Sequence, residues 1–461
     1  MRSFNMSPND LYTPPNLDSR REKLIALGPE VLADALLQVS GQNSEIENLI
    51  DRLISLPEEN LSRFKKRLAR LRNMRKPLFG RASMEFGSEL RDILEDLKSC
   101  VRDPREGVKL VADFYRTDKR IFEHCDDSSG FIADLFRYEA KELFVTYASA
   151  CNDKARICDL LIELSQGDEF GIRASLFDRV NDFLPEDFIT VLIDKMWLLA
   201  ENNKDHDYTW LSRLETIAVQ IKDASLFIRS RIAHSGQLFP ADYIKIARIY
   251  LDADDAVNAL EWLNKMPSRE PAFEYDRKQI LLAAYNKLGD KDNAGQAAWE
   301  IFKEHRNSDN LNSLLECVGQ DKKEEIIDGE TAIILQEKEL SYTNVSFLIQ
   351  NGRIDQAEIY VFDKLDQIDG DYYTSVHPLA EEFEKNGRYL TAAILFRALL
   401  ESILNRAQSR YYHHGVRYLK KLDELSMKID NWGKLLPHSD YFESIKQKHI
   451  RKTSFWGKYE C

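Results

Sequence analysis

Glycine and proline are thin in this 461-residue chain, at 19 and 13 residues, about 4% and 3% where roughly 7% and 5% are usual. That shortage excludes sandwiches and barrels, which need a turn every few residues. No apolar run approaches the 18 or so residues of a membrane span. The opening Met1-Arg-Ser-Phe-Asn-Met-Ser-Pro-Asn-Asp10 holds no apolar stretch of the kind that marks a secreted protein. The six cysteines (100, 125, 151, 158, 317, 461) form no Cys-x-x-Cys pair and read as reduced thiols of a cytoplasmic protein. Phosphate-loop, dinucleotide-fingerprint, His-Glu-x-x-His and Gly-x-Ser-x-Gly patterns are all missing. No cofactor is expected.

What is present is helical. Hydrophobic residues make up 43% and charged residues 31%, enough to bury a core. The length exceeds the roughly 250–300 residues at which single cores stop growing, so several domains or a repeat array are expected. Val31, Leu32, Ala35, Leu36 and Val39 recur at helical spacing after a Gly28-Pro29 turn. Leu56-Pro-Glu-Glu, Asp103-Pro-Arg-Glu, Leu184-Pro-Glu-Asp and His377-Pro-Leu-Ala-Glu each set proline near a first helical position, with acids complementing the helix dipole.

The second half carries a period. Five stretches run from an apolar pair through a tight turn to a new helix, which carries alanine in all but the third, and none shows the full tetratricopeptide consensus. Their turn positions, Asp254, Gly289, Gly319, Gly352 and Gly387, lie 35, 30, 33 and 35 residues apart, close to the tetratricopeptide repeat of 34. Fainter copies lie at Ile221-Lys-Asp-Ala-Ser and Cys151-Asn-Asp-Lys-Ala. The expected fold is all-α: a tetratricopeptide-like α-solenoid preceded by an N-terminal helical domain. The expected division is a flexible leader over 1–20, a helical domain over 21–150, repeats over 151–430 and a capping segment over 431–461.

Charge is uneven. The net charge is −13, yet residues 61–84 hold nine basic residues and no acid, leaving −22 for the rest. Leu61, Phe64, Leu68 and Leu71 make one apolar stripe there, and Arg63, Lys66, Arg67 and Arg70 are expected on the opposite face. Such a face can grip phosphates or an acidic protein, or pair with the chain's own acids. Basic and aromatic residues mix again at the end, where Arg451 and Lys452 precede Phe455-Trp456. That mixture suits single-stranded nucleic acid. It equally suits a terminal seal on a helical stack, the use favoured here for His449, Phe455 and Trp456. Asp126, Asp127 and Ser128 read as an N-cap for a helix beginning at Phe131. Neither His206-Asp207 nor the adjacent His413-His414 pair has the ligand count of a metal site.

Leu24-x-x-Leu-Gly-Pro-Glu-x-Leu-Ala33, the Asp126-Asp-Ser-Ser-Gly130 turn and Tyr441-x7-His449-x-Arg451-Lys452-x-x-Phe455-Trp456 resemble an uncharacterised family of bacterial helical proteins, over about residues 21–456. The ending, with Tyr411–Leu425 before it, is also similar to the C-terminal region of SWIM zinc-finger proteins. Their Cys-x-Cys…Cys-x-His zinc motif is missing here, so zinc and DNA binding do not transfer. The leading expectation is a non-enzymatic scaffold that holds a protein or peptide partner. The alternatives are a nucleic-acid-associated protein using the two basic segments, and an enzyme whose site converges on Asp126, Asp127 and a histidine.

Overall fold

A computed structural model describes residues 17–41, 44–202, 208–267 and 270–460. The expected leader (residues 1–16 of it) and the His206-Asp207 pair lie outside the described residues. The remaining leader residues, from Leu17 on, open the helix Leu17–Leu27. Every regular element among the described residues is helical, and the one β contact is an isolated parallel bridge between Leu78 and Cys125. None of these helices is long and apolar enough to cross a membrane. The chain divides into two compact units, one ending at Leu238 and one beginning at Phe239. That division falls inside the stretch read as repeats.

In the first unit the proline signals act as helix starts. Helices Pro57–Arg72 and Pro104–Tyr115 both begin on proline, whose missing N–H is one the first turn leaves unpaired anyway. Glu186–Asn202 starts directly after Pro185. Asp103 accepts from the Arg105 N–H to cap its helix. His377-Pro departs from this pattern: Pro378 sits inside the helix Tyr373–Lys385. Proline removes one intrahelical bond, and the residue four before it, Thr374, is exposed to solvent. Phe131–Asp134, Leu135–Ala140 and Lys141–Ala150 form one run whose middle is a π-helical turn. There the buried Tyr115 hydroxyl donates to the Phe136 carbonyl at 2.7 Å, an inserted side chain of the kind that widens a helix.

The second unit is built of helix pairs in chain order: Pro240–Asp252 with Ala256–Asn264, Pro271–Leu288 with Lys291–Glu304, Ser308–Val318 with Lys323–Gln336, Tyr342–Gln350 with Ile354–Phe362, and Tyr373–Lys385 with Tyr389–Arg406. All five aligned turn positions take positive φ: Asp254 67°, Gly289 72°, Gly319 106°, Gly352 76° and Gly387 74°. Glycine adopts that backbone without strain. Aspartate is among the few other residues that visit it. Lys222, in the fainter upstream copy, does so too, at 58°.

Asp223, Asp255 and Asp290, one residue past their turns, cap the following helices through Leu226, Asn258 and Asn293 N–H groups. The copy at Gly319 has Gln320 at that position, and in the last two copies arginine stands there and reaches back to the preceding pair. Arg353 binds Glu324 and Asp328 at 2.7 and 2.8 Å, and Arg388 pairs with Asp355. Ala294, Ala357 and Ala392 are buried at the helix crossings, where a small side chain permits close approach. One core cluster from Leu282 to Trp456 runs through the later pairs, and the first pair packs in a separate cluster with Ile280 and Ala284 of the helix Pro271–Leu288.

Candidate functional site

The basic helix Pro57–Arg72 buries Asn60, Phe64, Leu68 and Leu71, with Leu61 only half-buried. Its cations do not form one open face. Arg67 reaches Asp96 at 3.1 Å and Arg63 approaches the same carboxylate at 3.7 Å. Arg52, from the helix Ser44–Ile54, adds a third guanidinium at 3.1 Å and also binds Asp92 at 3.1 Å. The Asp96 side chain is 1% exposed. A buried carboxylate with no partner is costly, so the fold spends these arginines on it. Lys65 and Arg72 pair with Glu106 and Asp113 at 3.8 and 3.3 Å. Lys66 and Arg70 remain exposed, as do Arg75 and Lys76, and among the described residues none of these four makes an ion pair.

Asn48 and Arg52 sit four apart on one helix and Asp92 and Asp96 four apart on another, joined by four hydrogen bonds that include Asn48 to Asp92 at 2.6 Å. Matching polar pairs at i, i+4 were the available signal for this cluster. Sequence reading passed over it because the partners lie about 40 residues apart.

The Asp126 turn is anchored by the β bridge, with Leu78 N–H donating to His124 at 2.8 Å and Asp126 N–H to Leu78 at 3.0 Å. Asp126 accepts from both the backbone and the hydroxyl of Ser128, bonds that hold its carboxyl below the ordinary range. The two oxygens of Asp127 accept from Ile132 and Ala133 N–H at 2.9 and 2.8 Å. Asp127 is thus the capping side chain of the Phe131 helix. Beside the turn lies a cleft of about 190 Å³ lined by Gly80, Ser83, Met84, Phe131 and residues 126–129, with no histidine in its lining. A second cleft is lined by Ser165, Gln166, Asp168, Leu199, Asn202, Thr209 and Trp210, and Asp168 in its wall is held by Arg213 at 3.1 Å.

At the C-terminus, Phe455 is 0% and Trp456 8% exposed. Their rings meet edge to face at 5.0 Å, and Phe455 packs on Tyr412. Gly415, inside the helix Tyr412–Ser426, has little spare room, since a Cβ there would stand 3.0 Å from the Phe455 ring. His449 is buried, whereas Arg451 is exposed and Lys452 half-exposed. Behind the seal, Arg397 lies between the Trp432 and Tyr441 rings at 4.5 and 4.1 Å and donates to Leu436 at 2.9 Å. The His413 and His414 rings lie tilted with centroids 3.9 Å apart, and among the described residues no group of three or more metal-ligating side chains converges.

The sequence model of a family of unknown function, DUF6880, matches residues 19–235 and 199–458. The chain belongs to that family. Those stretches take in the Asp96 cluster, the Asp127 cap and the Phe455–Trp456 seal, so each is part of a DUF6880 protein's matched body. No curated protein and no solved structure matches the chain.

Proposed function

We propose that this DUF6880 protein is a non-enzymatic scaffold whose tetratricopeptide-like repeats hold a protein or peptide partner. What supports the reading is the succession of helices joined through positive-φ turns 30 to 35 residues apart, since stacked helix pairs generate extended binding surfaces. A surface of suitable chemistry lies at the starts of the later pairs. Tyr372 and Tyr373 are 60% and 62% exposed, and Arg410 sits 4.7 Å over the Tyr411 ring. Tyrosine and arginine are the residue types that dominate binding energy at interfaces. The test is affinity capture from the native host with the wild-type chain and with Tyr372→Ala/Tyr373→Ala/Arg410→Ala. Proteins retained by the wild type and lost from the variant support the reading; no retained protein, or an identical set, overturns it.

The second reading, nucleic-acid association, is favoured by one observation: Lys66, Arg70, Arg75 and Lys76 are exposed and unpaired. It loses Arg63 and Arg67 to Asp96, and it loses Phe455 and Trp456 as stacking platforms because they are buried. Affinity for single-stranded DNA that falls steeply with salt and drops when those four cations become alanine supports it. Binding that is absent or insensitive to salt removes it. The cleft beside Asp126 lends the enzyme reading nothing, because both Asp127 oxygens already serve as a cap. The likeness of the ending to SWIM zinc-finger proteins, a bacterial origin and a cytoplasmic location belong to the same proposal; the five cysteines among the described residues are free thiols, four of them buried, and suit that location.

A further inference from the structure

The helix Pro29–Ser40 is amphipathic yet buries none of its residues. A helix this short is marginal in water unless its apolar face packs on something. Its neighbours are in the same condition. Leu24 and Leu27 are 51% and 54% exposed, Val31 and Val39 52% and 48%, and Leu53 and Leu56 66% and 63%. Between Leu24 and Leu56, eleven large aliphatic side chains are 36% to 76% exposed. Together that is roughly 600–900 Å² of exposed apolar surface spread over residues 24–56, where single scattered side chains are the ordinary case.

The charges around this surface come in two signs. Arg20 and Lys23 precede Leu24 and Leu27 by one helical turn each, and Glu30 and Asp34 stand four apart beside Val31. All four are exposed, and none makes an ion pair among the described residues. The helix Leu17–Leu27 carries Arg20, Arg21 and Lys23 against Asp18 and Glu22, and Pro29–Ser40 carries only Glu30 and Asp34, so an excess of base on one helix and of acid on the next is a self-complementary arrangement.

We propose that this face is covered by a second copy of the chain. A two-fold contact lays Leu17–Leu27 of one copy across Pro29–Ser40 of the other, so that Arg20 and Lys23 meet Glu30 and Asp34 twice. Such a contact uses the same patch on both copies and closes on itself. It buries about 1,200–1,800 Å² in total, the size of a specific interface. It is independent of the scaffold reading.

Sedimentation velocity of the full chain over a wide concentration range decides it. The wild type is expected to form dimers. Leu24→Asp/Leu53→Asp weakens dimerisation by about tenfold or more with circular dichroism unchanged. Two charge variants guard against misfolding: Arg20→Glu/Lys23→Glu and Glu30→Lys/Asp34→Lys each dimerise poorly alone, and mixing them restores dimers, because only the mixed pair sets opposite charges together at both contacts. A wild type that stays monomeric throughout, as it would if a different protein covers the face, overturns the proposal. So does a dimer that the charge variants leave unchanged.

Discussion

The indole nitrogen of Trp456 donates to the backbone carbonyl of His449 at 3.0 Å, closing the last turn of the chain onto the helix end before it. This bond satisfies the one polar atom of a buried tryptophan and holds the edge-to-face pair Phe455–Trp456 against the end of the helical core. The basic-aromatic ending is therefore a seal on the second unit.

Trp456→Ala removes the ring and its bond together. A loss of about 3–5 kcal/mol is expected from the cavity alone. Urea unfolding of the full chain checks it: the variant's midpoint for the second unit falls while the slope holds. A midpoint equal to wild type would mean the seal contributes nothing to stability.

Asp96→Ala leaves Arg52, Arg63 and Arg67 facing one another without the carboxylate that joins them. Removing one partner from a buried ion cluster costs about 3–5 kcal/mol. Lys66→Ala/Arg70→Ala, on exposed and unpaired cations, is expected to stay within about 0.5 kcal/mol of wild type. Calorimetry of the two variants side by side separates an internal ion cluster from a solvated charge run; equal melting temperatures would contradict the assignment.

Acid is expected to loosen the seal. Burial first, and then Lys452 and Lys448, hold the His449 imidazole below its ordinary 6.5. A histidine with a lowered folded pKa takes up its proton more readily when unfolded. Its contribution is complete above about pH 6.5 and is lost as pH falls below that value through the folded pKa. Melting temperature between pH 7.5 and 5 should therefore decline less steeply in His449→Gln than in wild type. Superimposable pH profiles would rule His449 out as the responsible group.

Gly370 separates Asp369 from the helix Tyr373–Lys385, and a Cβ there would collide with the Ala398 carbonyl. The obstacle is helix backbone, which cannot swing aside. Gly370→Ala is expected to destabilise by about 1–3 kcal/mol, whereas Gly329→Ala, with nothing within 4 Å of its Cβ position, should be neutral or slightly stabilising within its helix. Thermal melts of the pair test the close approach, and a stable Gly370→Ala protein would refute it.

Local rules made much of the fold legible. Scarce turn residues and 3.6-residue periodicity set the helical class. The five turn positions could be picked from spacing because glycine or aspartate tolerates positive φ. The Asp126–Ser128 turn could be marked as a cap because capping reaches only a few residues along the chain. Pro378 was misplaced because proline signals a start only when no helix already surrounds it.

The sequence by itself determined where helices begin and turn, and that alanines would lie at their crossings, since those preferences act between near neighbours. Only the tertiary structure decided where Arg63 and Arg67 point, which aromatics are hidden and which apolar face stays bare. Each of those depends on a partner dozens of residues away: Asp96 for the arginines, Tyr412 for Phe455. A charge or a ring has one composition but many destinations, and packing selects among them by the cost of leaving a buried group unpaired.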